Sequence, residues 1–284
     1  MSPLLFFLLL LLVAFVAGVI GSLLGLGGGV IIVPVLTIAF GVPPLFAIGA
    51  SIVSVIATSS GSASTYVKDR VTNLRIGMFL EIATTTGAIT GAVSTLALER
   101  ANLESVIYLV FGAVLLFSVL PLIKQVGEEL PSPNVKADRI SERLELNGEY
   151  YDHVLQTRVR YTATRSPLAL AIMYVAGVIS GLLGVGSGVL KVIAMDVGMK
   201  IPMKVSSTTS NFMIGVTAAA STGVFYLSGY INPFIVSPVV LGVVLGSLLG
   251  TKTLRQLSNK FVRWLFIPIL VILALEMLIR GIGV

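Results

Sequence analysis

Apolar residues run along this chain in long blocks, separated by short stretches of glycine, proline and charge. Ten blocks stand out, at 4–20, 24–40, 44–66, 77–98, 104–123, 167–183, 188–198, 205–227, 233–251 and 264–281. A helix needs roughly 20 apolar residues to cross the hydrocarbon of a bilayer, and most blocks approach that length. Block 188–198 would be about 16 Å long as a helix and reach only half-way. Proline and glycine mark the gaps. The pattern predicts an all-α polytopic membrane protein.

Composition supports this pattern. Of 284 residues, 56% are hydrophobic and 11% charged, with a mean hydropathy of +1.01. A soluble domain carries about 25% charged residues. The net charge of +6 and pI near 9.7 would suit nucleic acid, but the basic residues sit in short loops between apolar runs. No nucleic-acid partner is expected, and orientation in a lipid bilayer accounts for the charge. With the N-terminus outside and segments alternating, 16 of the 19 lysines and arginines fall in cytoplasmic loops. Arg100 and Arg280 then lie outside and Lys191 within a block. The expected placement is therefore the cell (inner) membrane, with both termini outside. The first block follows no basic residue and reads as a retained membrane segment rather than a secretory signal. The chain has no cysteine, which excludes disulfides, thiolate metal sites and cysteine chemistry. No cofactor or metal is expected.

Residues 125–165 form the one sizeable polar stretch, mixing acids with bases. It divides the chain into an N-terminal membrane repeat (1–125), a cytoplasmic linker (126–164) and a C-terminal membrane repeat (165–284). Within the linker, Ala137–Leu146 has the composition of an amphipathic surface helix. His153 falls in the linker and reads as a surface residue.

The two membrane parts are related. Shifted by 159 positions, the stretch Ala17–Val30 falls on Ala176–Val189 with 10 of 14 residues identical. The same ungapped shift places Pro43 on Pro202, Ser51 on Ser210, Ser62 on Ser221, Asn73 on Asn232, and Gly87 and Gly91 on Gly246 and Gly250. Each half holds five segments. Whether the first pair of a half crosses or forms a re-entrant hairpin, the count of crossings is odd. The second half then enters from the opposite side, giving two inverted-topology repeats, some of whose segments are broken or half-membrane. That architecture belongs to secondary transporters, with the substrate near the midplane.

Each repeat carries a glycine turn, Gly25–Gly29 and Gly184–Gly188. Broken backbone at membrane depth is tolerated where protein or a water-filled cavity satisfies it. Helices starting after these turns would aim free N–H groups at one central site and favour an anion there. The competing reading is tight helix packing, which is the expectation for Gly87, Gly91, Gly246 and Gly250. No Gly-Lys-Ser/Thr and no dinucleotide fingerprint accompanies the turns.

Blocks 44–66 and 205–227 are rich in hydroxyls. Ser51, Ser54 and Thr58 share one helical face, as do Ser207, Ser210 and Asn211. Such groups can donate to an oxyanion or serve as glue between helices. Lys191 lies three residues after Gly188; a lysine at membrane depth marks a pathway or a partner. It would neutralise an anion, or else pair with Asp196 or snorkel to the interface. Asp196, Glu81 and Glu276 fall near block ends and are expected at the interface rather than in a proton relay. Trp264 and Tyr161 read as interface anchors.

The paired glycine turns and the stretch Ser207–Thr217 resemble the sulfite exporter TauE/SafE family of membrane permeases. The resemblance covers nearly the whole chain apart from the linker. It implies transport of a small sulfur-containing anion, sulfite or an organosulfonate, across a bacterial or archaeal plasma membrane. It implies a site lined by Gly27, Gly28, Gly29, Ser51, Gly186, Ser187, Gly188 and Ser210. The residue-level reading adds Lys191 and Asn211. One thiosulfate-carrying group of relatives uses cysteines in its pathway, which this chain lacks. The expected function is a secondary transporter working by alternating access, one half moving against the other. Proton coupling suits an exporter of a weak acid, although no relay is legible. The alternatives are an anion channel and a non-transporting membrane scaffold; no enzymatic motif is present.

Overall fold

The computed structural model describes residues 3–24, 28–68, 71–124, 136–152, 156–254 and 259–283. Each of the ten apolar blocks contains a helix. The first half contains α1 (Pro3–Leu24), α2 (Gly29–Ile38), α3 (Pro44–Lys68), α4 (Leu74–Arg100) and α5 (Glu104–Lys124). After the short helix α6 (Arg139–Arg143) and the hairpin β1 (Gly148–Asp152) and β2 (Thr157–Tyr161), the second half begins. It contains α7 (Ser166–Leu183), α8 (Gly188–Ile193), α9 (Met203–Leu227), α10 (Pro233–Leu254) and α11 (Asn259–Gly283). Helix α8 runs on into a π-helical turn, Ala194–Gly198.

Among the described residues, α1, α4, α7 and α10 are long and apolar enough to cross a membrane. Both second segments are short. Helix α2 has ten residues, about 15 Å, although its apolar block runs from 24 to 40. Its end is satisfied from a distance. Arg280 of α11 donates to the carbonyls of Thr37 (3.2 Å) and Ile38 (3.3 Å), groups that a helix terminus leaves without intrahelical partners. Glu276, expected at the interface, is half-buried and holds Arg280 at 3.7 Å.

The halves interlock. Helix α1 packs along α10, and α7 packs along α4. Helix α3 meets α9, and α5 meets α11. In the register of the sequence repeat, these are the partner exchanges of a two-fold relation, and the correspondence extends to single atoms. A Cβ on Gly87 would collide with the carbonyl oxygen of Tyr174, and one on Gly246 with that of Phe15. A Cβ on Gly177 would collide with the Thr84 oxygen, and one on Gly18 would sit 2.5 Å from the Val243 oxygen. Backbones can approach this closely only where side chains are absent. Gly91 serves the same contact against Val178. The packing expected of Gly87, Gly91 and Gly246 is therefore observed.

The polar stretch is more structured than a connector. Asp138 caps α6 by accepting from the Ser141 N–H at 2.7 Å. Its other oxygen accepts from the Ser166 N–H at 2.5 Å, so one carboxylate ties α6 to the start of α7. The helix stops at Arg143, shorter than Ala137–Leu146, because Glu145 takes a left-handed conformation (φ 49°) and Asn147-Gly148 turns the chain into the hairpin. Tyr150, Val159 and Tyr161 of the hairpin then join Ile76, Leu80, Met173, Met195, Met199 and Met213 in one apolar cluster. Tyr161 is accordingly not an interface anchor. It is buried, and its hydroxyl accepts from Asn73 Nδ2 at 2.8 Å. Asn73 also caps α4 through Ile76 N, so the hairpin is fastened to the entrance of α4. His153 lies outside the described residues, as does the Trp264 side chain.

Candidate functional site

The two glycine stretches meet at Gly29 and Gly184. Gly184 (φ 70°), Gly186 (φ 73°) and Ser187 (φ 47°) all enter the left-handed region within four residues, which breaks α7 from α8. Gly29, at the start of α2, packs against this turn. A Cβ there would fall 2.7 Å from the Gly184 carbonyl oxygen and 2.5 Å from Ser51 Oγ. Glycine at 29 is thus a requirement of close approach between the halves. Gly28 lies beside it, buried, whereas Gly27 falls outside the described residues.

The hydroxyls singled out by the repeat serve the broken backbone. Ser51 Oγ donates to Gly184 O at 2.6 Å, across the two halves. Its repeat partner Ser210 donates to Gly188 O at 3.2 Å. Ser59 donates to the backbone oxygen of Asn211 at 2.5 Å. Of these three carbonyls, that of Gly184 lies in the break itself, and Ser51 satisfies it as a buried backbone requires. Each serine has one hydroxyl hydrogen, so Ser51 and Ser210 have committed theirs to backbone. Ser187 differs. Its side chain is buried, and its Oγ has no hydrogen-bond partner in the structure.

Lys191 is fully buried, at 0% exposure, so it does not snorkel. Its ammonium reaches across to α9 and donates to Thr217 Oγ1 at 2.5 Å. That hydroxyl lies 2.6 Å from Glu81 Oε1 and 2.8 Å from the carbonyl oxygen of Met213. Thr85 Oγ1 donates to the same Glu81 oxygen at 3.1 Å. The second carboxylate oxygen, Oε2, is buried without a partner. The structure corrects the interfacial expectation for Glu81: at 8% exposure it lies inside the bundle, eight residues into α4. Burying an acid and a lysine costs far less when they sit together than when either is alone. Asp196 lies half-buried in the π-helical turn.

The hydrogen-bonded chain of Glu81, Thr217 and Lys191 thus spans α4, α9 and α8. It has no equivalent in the repeat. The shift of 159 places Ile32 opposite Lys191, Val240 opposite Glu81 and Thr58 opposite Thr217. Sequence reasoning finds Lys191 but not its connection to Glu81. The available signal is an acid inside an apolar block, which reads as a block end.

Apolar helices, interlocked halves and a polar centre built on broken backbone define a multi-pass α-helical membrane transporter. The chain belongs to the Sulfite exporter TauE/SafE family, whose profile matches residues 10–277. Among curated relatives it is 28% identical over 283 residues to the probable membrane transporter protein YunE of Bacillus subtilis, covering 97% of this chain and 98% of that one. It is 25% identical to the probable membrane transporter protein MJ0441 of Methanocaldococcus jannaschii, covering 95% of each. With the probable membrane transporter protein YdhB of Bacillus subtilis the identity is 24%, covering 79% of this chain and 81% of the relative. No solved structure matches the chain. The protein is a transporter and not an enzyme.

Proposed function

We propose that this transporter carries a small sulfur-containing anion, sulfite or an organosulfonate, as a secondary transporter working by alternating access. The observation that carries the reading is the buried Lys191 ammonium. It lies four residues from the unpartnered Ser187 hydroxyl, which sits in a buried turn where three of four residues take positive φ. A cation at membrane depth requires a counter-charge, and such residues line substrate paths. A sulfonate or sulfite would take the Lys191 charge, the free hydroxyl of Ser187 and amides of Gly28, Gly29, Gly186 and Gly188. Ser51 and Ser210 hold the turns in shape, and Asn211 lies beside them on α9. Gly27 belongs to the proposed lining through its place in the first turn.

The halves are proposed to be inverted relative to the bilayer, with the 126–164 segment cytoplasmic and both termini outside. The support is the odd number of segments per half and the excess of lysine and arginine in the loops on one side. An anion channel and an inert scaffold are the competing classes. The scaffold is disfavoured by the cost of burying Lys191 and Glu81 with an oxygen left unpaired.

The test is flux into proteoliposomes of radiolabelled sulfite and isethionate, a simple sulfonate. Saturable counterflow that Lys191→Ala abolishes, while the variant remains monodisperse, is the expected outcome. Flux that never saturates indicates a channel, and equal flux in the variant overturns the role of Lys191.

A further inference from the structure

We infer that Glu81 is the proton-binding group of the transport cycle, and that Lys191 is shared between Glu81 and the anion. The inference rests on the anion reading above and adds the coupling ion, its carrier and its stoichiometry.

The argument starts from charge. With Glu81 ionised, its carboxylate already balances Lys191 through Thr217. An anion arriving beside Lys191 would leave a net negative charge in buried surroundings, which is costly. A proton on Glu81 removes that charge and frees the ammonium for the anion. One anion and one proton therefore bind together. The protonation step is simple: bulk water supplies the proton, an O–H bond forms on the Glu81 carboxylate, and the bond breaks again when the site opens to the other side.

The hydrogen-bond geometry accommodates both states. Thr217 Oγ1 has one hydrogen and two acceptor positions. With Glu81 ionised, Thr217 donates to Glu81 Oε1 (2.6 Å) and accepts from Lys191 (2.5 Å). With Glu81 protonated, the carboxyl donates to Thr217 Oγ1, and the threonine hydrogen turns to Met213 O, 2.8 Å away. Neither the threonine hydrogen nor the carboxyl hydrogen is stranded in either state. Glu81 Oε2, buried and unpartnered, is the oxygen left available to a water that delivers the proton to the carboxylate.

Among the described residues, few other charges lie on the helices packed against this group. Helix α8 contributes Lys191, and Asp196 follows five residues on in the π-helical turn. Helix α9 contributes Thr217, with Lys204 thirteen residues earlier. Helix α7 contributes Tyr174, whose hydroxyl stands 3.4 Å from Thr90, nine residues beyond Glu81. On α4 itself, Arg75 is exposed and paired with Glu145, and Glu99 and Arg100 close its far end. Helix α5 begins beyond that end with Glu104. Because Ile32 and Val240 stand at the repeat-related positions, the proton site exists once per chain. A one-to-one ratio follows.

The experiment uses the full-length protein in proteoliposomes, with isethionate, whose sulfonate stays ionised across the working range, and a pH dye in the lumen. In the wild type, isethionate entry acidifies the lumen, and a pH gradient drives its accumulation. Apparent affinity should fall about tenfold per pH unit on the alkaline side of the Glu81 titration, as linkage of one proton requires. Glu81→Gln should lose gradient-driven accumulation and lumen acidification. It should retain isethionate–isethionate exchange, now independent of pH. Glu276→Gln, at a half-exposed carboxylate, should match the wild type. Accumulation and acidification that survive in Glu81→Gln overturn the inference.

Infrared difference spectra of wild type against Glu81→Gln, taken from acid to alkaline pH, need no substrate. A carboxylic-acid carbonyl band that titrates and is missing from the variant supports the inference; its absence from the wild type overturns it. Should the wild type move neither sulfite nor isethionate, the substrate reading fails, and the infrared result decides the proton site by itself.

Discussion

Ser51 donates its hydroxyl hydrogen to the carbonyl oxygen of Gly184, 2.6 Å away and 133 positions on in the chain. One hydroxyl in the first half therefore completes the backbone of the break in the second. Ser51→Ala leaves a buried carbonyl without that donor, which should cost about 1–3 kcal/mol. Thermal unfolding of the purified variant checks this. An unchanged midpoint would mean that water or a neighbouring group replaces the hydroxyl at no cost.

The glycine contacts give a paired prediction. Gly177→Val and Gly18→Val each place new atoms against backbone, at Thr84 O and Val243 O. Each should destabilise by about 1–3 kcal/mol, and by similar amounts, since the contacts correspond. Gly223, inside α9, has open space out to 4 Å around the point where a Cβ would sit. Gly223→Ala should be stabilising by roughly 0.5–1 kcal/mol, because the glycine's backbone entropy cost is removed. Equal destabilisation at all three sites would refute the close-contact account.

Lys191 and Glu81 form a coupled pair. Lys191→Met strands the buried Glu81 carboxylate, and loss of one partner of such a pair typically costs about 3–5 kcal/mol. The double variant Lys191→Met/Glu81→Gln should recover most of that loss while remaining inactive in transport. A double-mutant cycle in chemical denaturation measures the recovery. Strictly additive effects would show that the two groups do not share charge through Thr217.

Asp138 gives a pH-dependent prediction outside the membrane bundle. Partial burial pushes its carboxyl upward, but donation from Ser141 and Ser166 outweighs this and holds it below the ordinary aspartate range. A lowered folded-state value means that the contribution to stability is present above the unfolded value, about 3.9. It is lost as pH falls through the folded one. Asp138→Asn should lower the melting midpoint at neutral pH and leave it near the wild type's in strong acid. A difference that persists unchanged into acid would contradict the linkage.

Much of the fold is legible in the apolar pattern. Each of the ten blocks contains a helix, and the register that aligns Gly87 with Gly246 also aligns their contacts. Two features are not legible. Helix α2 is nearly as abbreviated as α8, because its end depends on Arg280 from the last helix, a partner that local pattern does not announce. The hairpin at 148–161 is hidden in a charged stretch, where Tyr150, Val159 and Tyr161 alternate too briefly to signal burial. At the site, the glycine turns and Lys191 stand out because they break the rule of uniform apolarity. Glu81 breaks the same rule, but its partner Thr217 is 136 positions away, and a threonine in an apolar helix carries no signal of its own.

The exchange of helix partners has a mechanical consequence. Helix α1 is joined to α10 and α4 to α7 through contacts too tight for side chains. A motion that separated the first half from the second would have to open both seams at once. In the alternating-access cycle proposed above, the mobile bodies would then be composites, each borrowing a helix from either side of the linker. A half expressed without the other would show lipid a bare backbone groove, so the molecule is better regarded as a fused dimer than as two domains.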